Sequence, residues 1–191
     1  MLEAAKSLAL RFNPNSGVIR SWDFGTEKGV VPTIIDNMMN LELLLWAFRE
    51  SSDSSFYQIS ISHADITLKN HFREDFSTYH VLDYDSLTGE VLSKRTHQGY
   101  SDSSTWARGQ AWGIYGYTMM YRETGLERYL DRARKATDLF ISRLPVDVIP
   151  FWDFDAPDIP NAPKDASAAA ILSSAMLELA TYEEQPKSSK Y

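Results

Sequence analysis

The sequence predicts an all-α protein of the α/α toroid type, in which this chain forms a partial ring of about three helical hairpins with a small β-hairpin inserted. Three observations predict it. Helical segments alternate along the chain between half-polar and apolar on every face. The apolar ones open near residues 34, 104 and 165. The helix count, about six, is half of the roughly twelve that a closed ring of six hairpins needs. A helix with no solvated stripe must be buried, and stacked hairpins bury each such helix against its neighbours. Inner helices of a stack run parallel, so their N-termini and partial positive dipole ends gather at one rim, where an anion is welcome.

The elements follow in order. Leu2 to Phe12 sets Leu2, Ala5, Leu8 and Ala9 on one face, as a half-exposed helix does, and is too polar for a signal peptide. Asn13 to Lys28 reads as loop, with Asn-Pro, Ser-Gly and Phe-Gly-Thr turn signals around a short IRSW run that carries Trp22. Thr33 to Arg49 is the first fully apolar helix, broken only by Asp36 and Glu42, and Phe56 to Phe72 is its half-wet partner. From Arg73 to Asp102 no helix is evident. VLDYDSLTGEVLSK places turn residues Asp85 to Gly89 between two strand-like runs, which predicts a hairpin. Ser103 or Ser104 then caps an apolar helix reaching Arg122, Glu127 to Arg143 forms a surface helix, and the proline-rich Asp147 to Asp165 stretch is loop. Asp165 to Tyr182 is the third apolar helix, and the last residues read as a frayed tail.

Composition narrows the partners. A net charge of -7 argues against nucleic acid or an acidic membrane surface. No apolar run approaches the roughly 20 residues of a membrane span. With no cysteine, disulfides and thiolate metal sites are excluded. Hydrophobic content of 43% in 191 residues suits one domain with a sizeable core. Oligomeric state and compartment are not legible, since any signal peptide would precede Met1.

The stretch HQGYSDSSTWARGQAWGIYG, from His97 to Gly116, concentrates the chemistry. Arg108 is the one charge in the apolar run through Tyr121, so it needs an anionic partner or an open end. Trp112 lies four residues on, and the pair suits either a carboxylate clamped over a sugar face or a packed cation–π contact. Asp36 follows Thr33 by three, which a T-x-x-D cap explains as well as catalysis does. Burial at the rim raises its pKa and the helix dipole lowers it; a net rise suits a general acid. His80 and His97 read as base, metal pair or loop residues, with metal disfavoured by the lack of ligand spacing. Gln110 reads as a satisfied core amide, and Asp102 and Asp165 stand where helix caps belong.

With IIDNMMNLELLLWA at 34–47, FSTYHVLDYDSLTGEVLSKRTHQGYSDSSTWARGQAWGIYGY at 76–117 and DASAAAILSSAMLEL at 165–179, the chain resembles the unsaturated glucuronyl hydrolases. The resemblance covers nearly the whole chain and is collinear with the middle of a six-hairpin α/α-barrel catalytic domain. It implies hydration of the C4=C5 double bond of a terminal unsaturated glucuronic acid on glycosaminoglycan oligosaccharides, with no cofactor and no metal. On that resemblance Asp36 is the general acid/base, and His80, Gln98, Arg108 and Trp112 line the sugar site, with Trp22 as an aromatic wall.

One departure matters. The family's second essential aspartate, in a His-Asp-x-Gly-Phe type motif, has no counterpart here; HADI at His63, WDFG at Trp22 and WDFD at Trp152 stand in other contexts. The expectation is therefore a partial barrel over residues 1–191, lacking N-terminal and C-terminal parts and weakly active or inactive by itself. The alternatives are an unsaturated rhamnogalacturonyl hydrolase acting on pectin fragments and a non-catalytic helical sugar-binding scaffold.

Overall fold

A computed structural model describes residues 1–23 and 27–183 of the chain. It is mostly helical with two small antiparallel sheets. Helix α1 (Leu2–Ala9) stops short of Phe12 because Phe12–Asn13 (β1) pairs with Val18–Ile19 (β2), and Gly17 turns between them at φ 71°. Strands of two residues leave no periodicity, which is why this stretch reads as plain loop. The expected Phe-Gly-Thr turn lies outside the described residues.

The larger difference concerns the first apolar helix. Val30–Ile34 (β3) is a strand, Ile35–Asn40 is a 3-10 turn, and α2 proper spans Leu41–Ser51. The β-branched Val30, Val31, Thr33 and Ile34 favour a pleated strand. Thr33 and Asp36 are therefore not a capping pair; the Thr33 hydroxyl donates to the Ile19 carbonyl instead, at 3.3 Å. Strand β3 pairs with β4 (Val81–Asp85), which pairs with β5 (Val91–Arg95), so the expected hairpin exists inside a three-stranded sheet. Its turn is closed by Asp85, whose carboxylate accepts from the Leu87 and Thr88 amides.

Helix α3 (Ser54–Asn70) is capped by Asp53, and α4 (Ala107–Thr124) begins three residues beyond Ser104. Neither Ser103 nor Ser104 caps it: Trp106 holds the cap position, and the Ser104 hydroxyl is bonded to Asp153. Helix α5 (Glu127–Ser142) lies against α4. Helix α6 (Ala166–Leu179) is capped by Asp165, which accepts from the Ala168 amide; Asp102 caps no helix and accepts from Thr96 N–H.

The inner elements run parallel. Arg108 meets Asp165 at the starts of α4 and α6, and Arg122 meets Glu178 near their ends. Along α4, Gly109 and Gly113 face Ile35, and Gly116 faces Met38, so the 3-10 turn and α4 ascend together. A Cβ at Gly116 would collide with that of Met38, so the glycine sets the distance between them. Tyr117 from α4 donates to the Ala64 carbonyl of α3, and Arg128 of α5 pairs with Asp65, which places α3 and α5 in the outer layer. The core is continuous from Ala5 through Met38, Ile114 and Phe140 to Leu179.

Helix α6 departs from expectation by keeping one face open. Ala170, Ser173, Ser174 and Leu177 are exposed, Leu177 at 74%. Its small, weakly polar residues read as uniformly dry, yet only Ala168, Leu172, Ala175 and Leu179 are buried. Glu183 pairs with Arg134, and the rest of the expected tail, 184–191, lies outside the described residues. No helix among the described residues is long and apolar enough to cross a membrane.

Candidate functional site

The sheet register creates the central pair. Because Ile34 stands opposite Val81, the residues just beyond β3 and just before β4 are brought together, and these are Asp36 and His80. The Ile35 amide donates to the His80 carbonyl at 3.1 Å, and Asn37 anchors the 3-10 turn by donating to Ile19 O at 2.8 Å. Asp36 is 8% exposed. Burial pushes its carboxyl up to about 6, against a backbone hydrogen bond and the Arg108 charge, which both pull it down.

His80 is fixed in one protonation form. Its Nδ1 accepts from the His97 and Gln98 amides, both at 3.1 Å, so the neutral ring carries its proton on Nε2. Burial first, then the neighbouring His97, His71 and Arg95, pushes its pKa down to about 3, so the ring is neutral at ordinary pH. Nε2 points toward Asp36 Oδ2 across 3.9 Å, too far for a direct hydrogen bond, and neither atom has a partner among the described residues. A carboxyl that protonates near neutrality and a fixed N–H donor therefore converge on one spot. His80 is a donor here, not the base or half of a metal pair.

Arg108 is not an isolated cation. Its Nε and a terminal nitrogen donate to Asp165 Oδ2 at 3.1 and 2.9 Å. The anionic partner required by the sequence is thus supplied within the chain, by the residue that caps α6. Its guanidinium lies over Trp106, 5.4 Å from the ring centroid, rather than over Trp112. Four rings continue the wall. Trp106 is 4.5 Å from His80, His80 is 6.4 Å from His97, and His97 is 5.7 Å from Trp22, centroid to centroid. Gln98 is exposed beside them and contributes its backbone amide.

The structure thus joins Asp36, His80, Gln98, Arg108 and Trp22. Trp112, one turn beyond Arg108 on α4, lines a groove of about 520 Å³ with Met39, Glu42, Tyr115, Ala170 and Ile171. Gln110 is the satisfied core amide expected: it accepts from Thr78 N–H and donates to the Phe76 and Ala136 carbonyls.

No protein-family model matches the chain. It is 51% identical to an unsaturated glucuronyl hydrolase of Formosa agariphila over 184 residues, 95% of this chain and 46% of that protein. Its fold matches a crystal structure of an unsaturated glucuronyl hydrolase specific for heparin with a TM-score of 0.95 at 46% identity, over 100% of this chain and 51% of that one. An unsaturated glucuronyl hydrolase variant from Streptococcus agalactiae, complexed with dGlcA-GalNAc6S, matches with a TM-score of 0.71 at 36% identity, over 81% of this chain and 42% of that one.

The chain is homologous to the unsaturated glucuronyl hydrolases. It spans about half the length of the curated relatives it matches. Its helices form the corresponding part of the glucuronyl hydrolase α/α barrel. Two features of this site escape a linear reading. Trp106 is two residues from Arg108, a spacing that opposes side chains on a helix, but it precedes the helix and so folds under the guanidinium. Asp165 serves as cap and counter-ion together, which only the parallel alignment of α4 and α6 reveals.

Proposed function

We propose that the chain carries the general acid/base side of an active site that hydrates the C4=C5 double bond of a terminal unsaturated glucuronic acid in glycosaminoglycan oligosaccharides. The observation that carries the reading is the buried Asp36 carboxyl, its pKa raised to about 6 and its Oδ2 without a partner among the described residues, facing the His80 N–H. A vinyl ether needs a proton at C4 and a water at C5. Asp36 in its acid form donates the proton, and its carboxylate then takes one from the water that adds. The hemiketal so formed collapses, releasing the neighbouring sugar and the uronate. Such proton transfer contributes about 10²–10⁴ in rate.

The other residues position the ligand. His80 offers a fixed donor to an oxygen of the sugar or to the water. Trp22 is an aromatic wall, Gln98 a neutral hydrogen bonder and Trp112 the wall of the adjoining groove. Arg108 supplies positive potential offset by its ion pair with Asp165, so a uronate carboxylate meets a compensated cation rather than a free one. Residues 1–191 supply this side of the site and match about half the length of the relatives. One similar structure is of a hydrolase specific for heparin, and another, from Streptococcus agalactiae, holds dGlcA-GalNAc6S; both favour glycosaminoglycan over pectin fragments.

The test follows loss of ultraviolet absorbance from unsaturated heparin and chondroitin disaccharides. It compares the 191-residue chain with a chimera that takes the unmatched half from the Formosa agariphila relative. The chimera turns over, the chain by itself does so feebly, and Asp36→Asn lowers chimera turnover by about 10²–10⁴. Turnover indifferent to Asp36→Asn would overturn the reading and leave a sugar-binding scaffold.

A further inference from the structure

Asp153 lies in the loop after α5 and is fully buried. A buried carboxylate persists only when its oxygens are satisfied. No cation among the described residues pairs with it. Three donors do so instead: Oδ2 accepts from the Tyr100 amide at 2.9 Å and the Ser104 hydroxyl at 2.7 Å, and Oδ1 accepts from the Asp155 amide at 2.9 Å. We infer that Asp153 is a positioning residue: by anchoring the 99–104 loop it holds the His97 and Gln98 amides on His80 Nδ1, and so keeps the imidazole N–H aimed at Asp36.

The connection is short and stiff. Tyr100, held by Asp153, is two residues from Gln98 and three from His97. Between them stands Gly99, whose amide donates to Thr96 Oγ1 at 2.7 Å and closes the turn that presents the two amides. A Cβ there would sit 2.6 Å from Thr96 Oγ1 and 3.1 Å from Asp153 Oδ2, so the backbone passes the carboxylate at a range that a side chain denies. The segment around Asp153 is itself stitched to the start of α4, by Phe154 N–H to Thr105 O at 3.0 Å and Ala107 N–H to Trp152 O at 3.1 Å. Hence the loop that orients His80 and the helix that carries Arg108 share one anchor. The chemistry selects aspartate. Donors approach both oxygens, and an asparagine would turn two amide hydrogens toward one set of them.

The consequence for catalysis rests on the proposed function; the geometry does not. The test is nitrogen NMR of the uniformly nitrogen-labelled chain, read at the histidine rings and the backbone amides. Wild type shows His80 with bare Nδ1 and protonated Nε2 from pH 5 to 8. Asp153→Asn shifts His80 toward a mixture of tautomers, with titration appearing above pH 5, while the resonances of buried His63 and His71 stay in place. Ser104→Ala removes one of the three bonds and keeps the charge, so it shifts His80 in the same direction by less. Should Asp153→Asn fail to fold, Ser104→Ala decides. A variant in which the Tyr100 amide moves but His80 keeps its single tautomer overturns the inference, because a merely structural anchor acts in that way. The readout needs no turnover, so loss of the hydrolase reading and loss of this one are separable.

Discussion

Burial of Asp36 couples stability to pH. Its folded pKa of about 6 lies above the 3.8 of an ordinary aspartate, so the folded chain holds the proton more tightly than the unfolded one. That preference stabilises fully below pH 3.8 and is lost as pH rises through 6. A shift of about two units corresponds to about 3 kcal/mol. Asp36→Asn is therefore expected to stabilise the chain by up to about that amount at pH 7, with the gain vanishing toward pH 4, as urea unfolding at both pH values will show. The buried histidines act in the opposite sense. Burial takes His63 to about 3, His71 to about 4 and His80 to about 3, all below the usual 6.5. The unfolded chain gains protons below 6.5 that the native one refuses, so their stabilisation is present above 6.5 and falls as pH drops toward 4. With three such groups the slope reaches at most about 4 kcal/mol per pH unit, partly opposed by Asp36. Urea midpoints that stay level between pH 6.5 and 4.5 would contradict this.

At the scale of elements, the site depends on how closely α4 approaches the 3-10 turn that carries Asp36. Gly116→Ala drives a methyl into Met38. Overpacking of this kind typically costs about 1–3 kcal/mol, and the displaced turn also alters the Asp36 titration followed by carbon NMR. Gly125 is the control. It ends α4 at φ 67° with nothing within 4 Å of a would-be Cβ, so Gly125→Ala costs about 1 kcal/mol through backbone strain alone and leaves Asp36 titrating as before. Asp165 separates its two tasks in the same way. Asp165→Asn keeps an acceptor for the Ala168 amide, whereas Asp165→Ala loses the cap as well, a further cost of about 1 kcal/mol, measurable as the difference in their unfolding midpoints.

Across the whole molecule, the layers differ in how well they are enclosed. Helix α4 is packed by α5 on one side and by α6 and the 3-10 turn on the other, whereas α6 leaves Ala170, Ser174 and Leu177 to solvent. Hydrogen exchange should therefore proceed in α6 by local opening well before α4, whose amides wait for global unfolding. In the chimera that adds the unmatched half of the Formosa agariphila relative, α6 protection is expected to approach that of α4. Equal protection in the isolated chain would show that the open face is stable without a cover.

Much of this was legible in the chain itself. The positions of α3, α4 and α5, the hairpin around Asp85, the core role of Gln110 and the Asp165 cap all follow from local pattern, because hydrophobic period and capping chemistry act within one or two turns. Asp36 and His80 stood out through resemblance, but the reason they meet did not. It lies in strand β3, hidden because Ile34, Ile35 and Met38 also fit a helical period. Likewise Ser104 has the chemistry of a cap, and only the approach of Asp153 from 49 positions away takes its hydroxyl elsewhere. The sequence by itself determined where most helices lie and which residues carry charge, because hydrophobic period is a local property. Tertiary structure decided which charges are paired and which proton is held where, since desolvation and hydrogen-bond direction depend on neighbours that are distant along the chain.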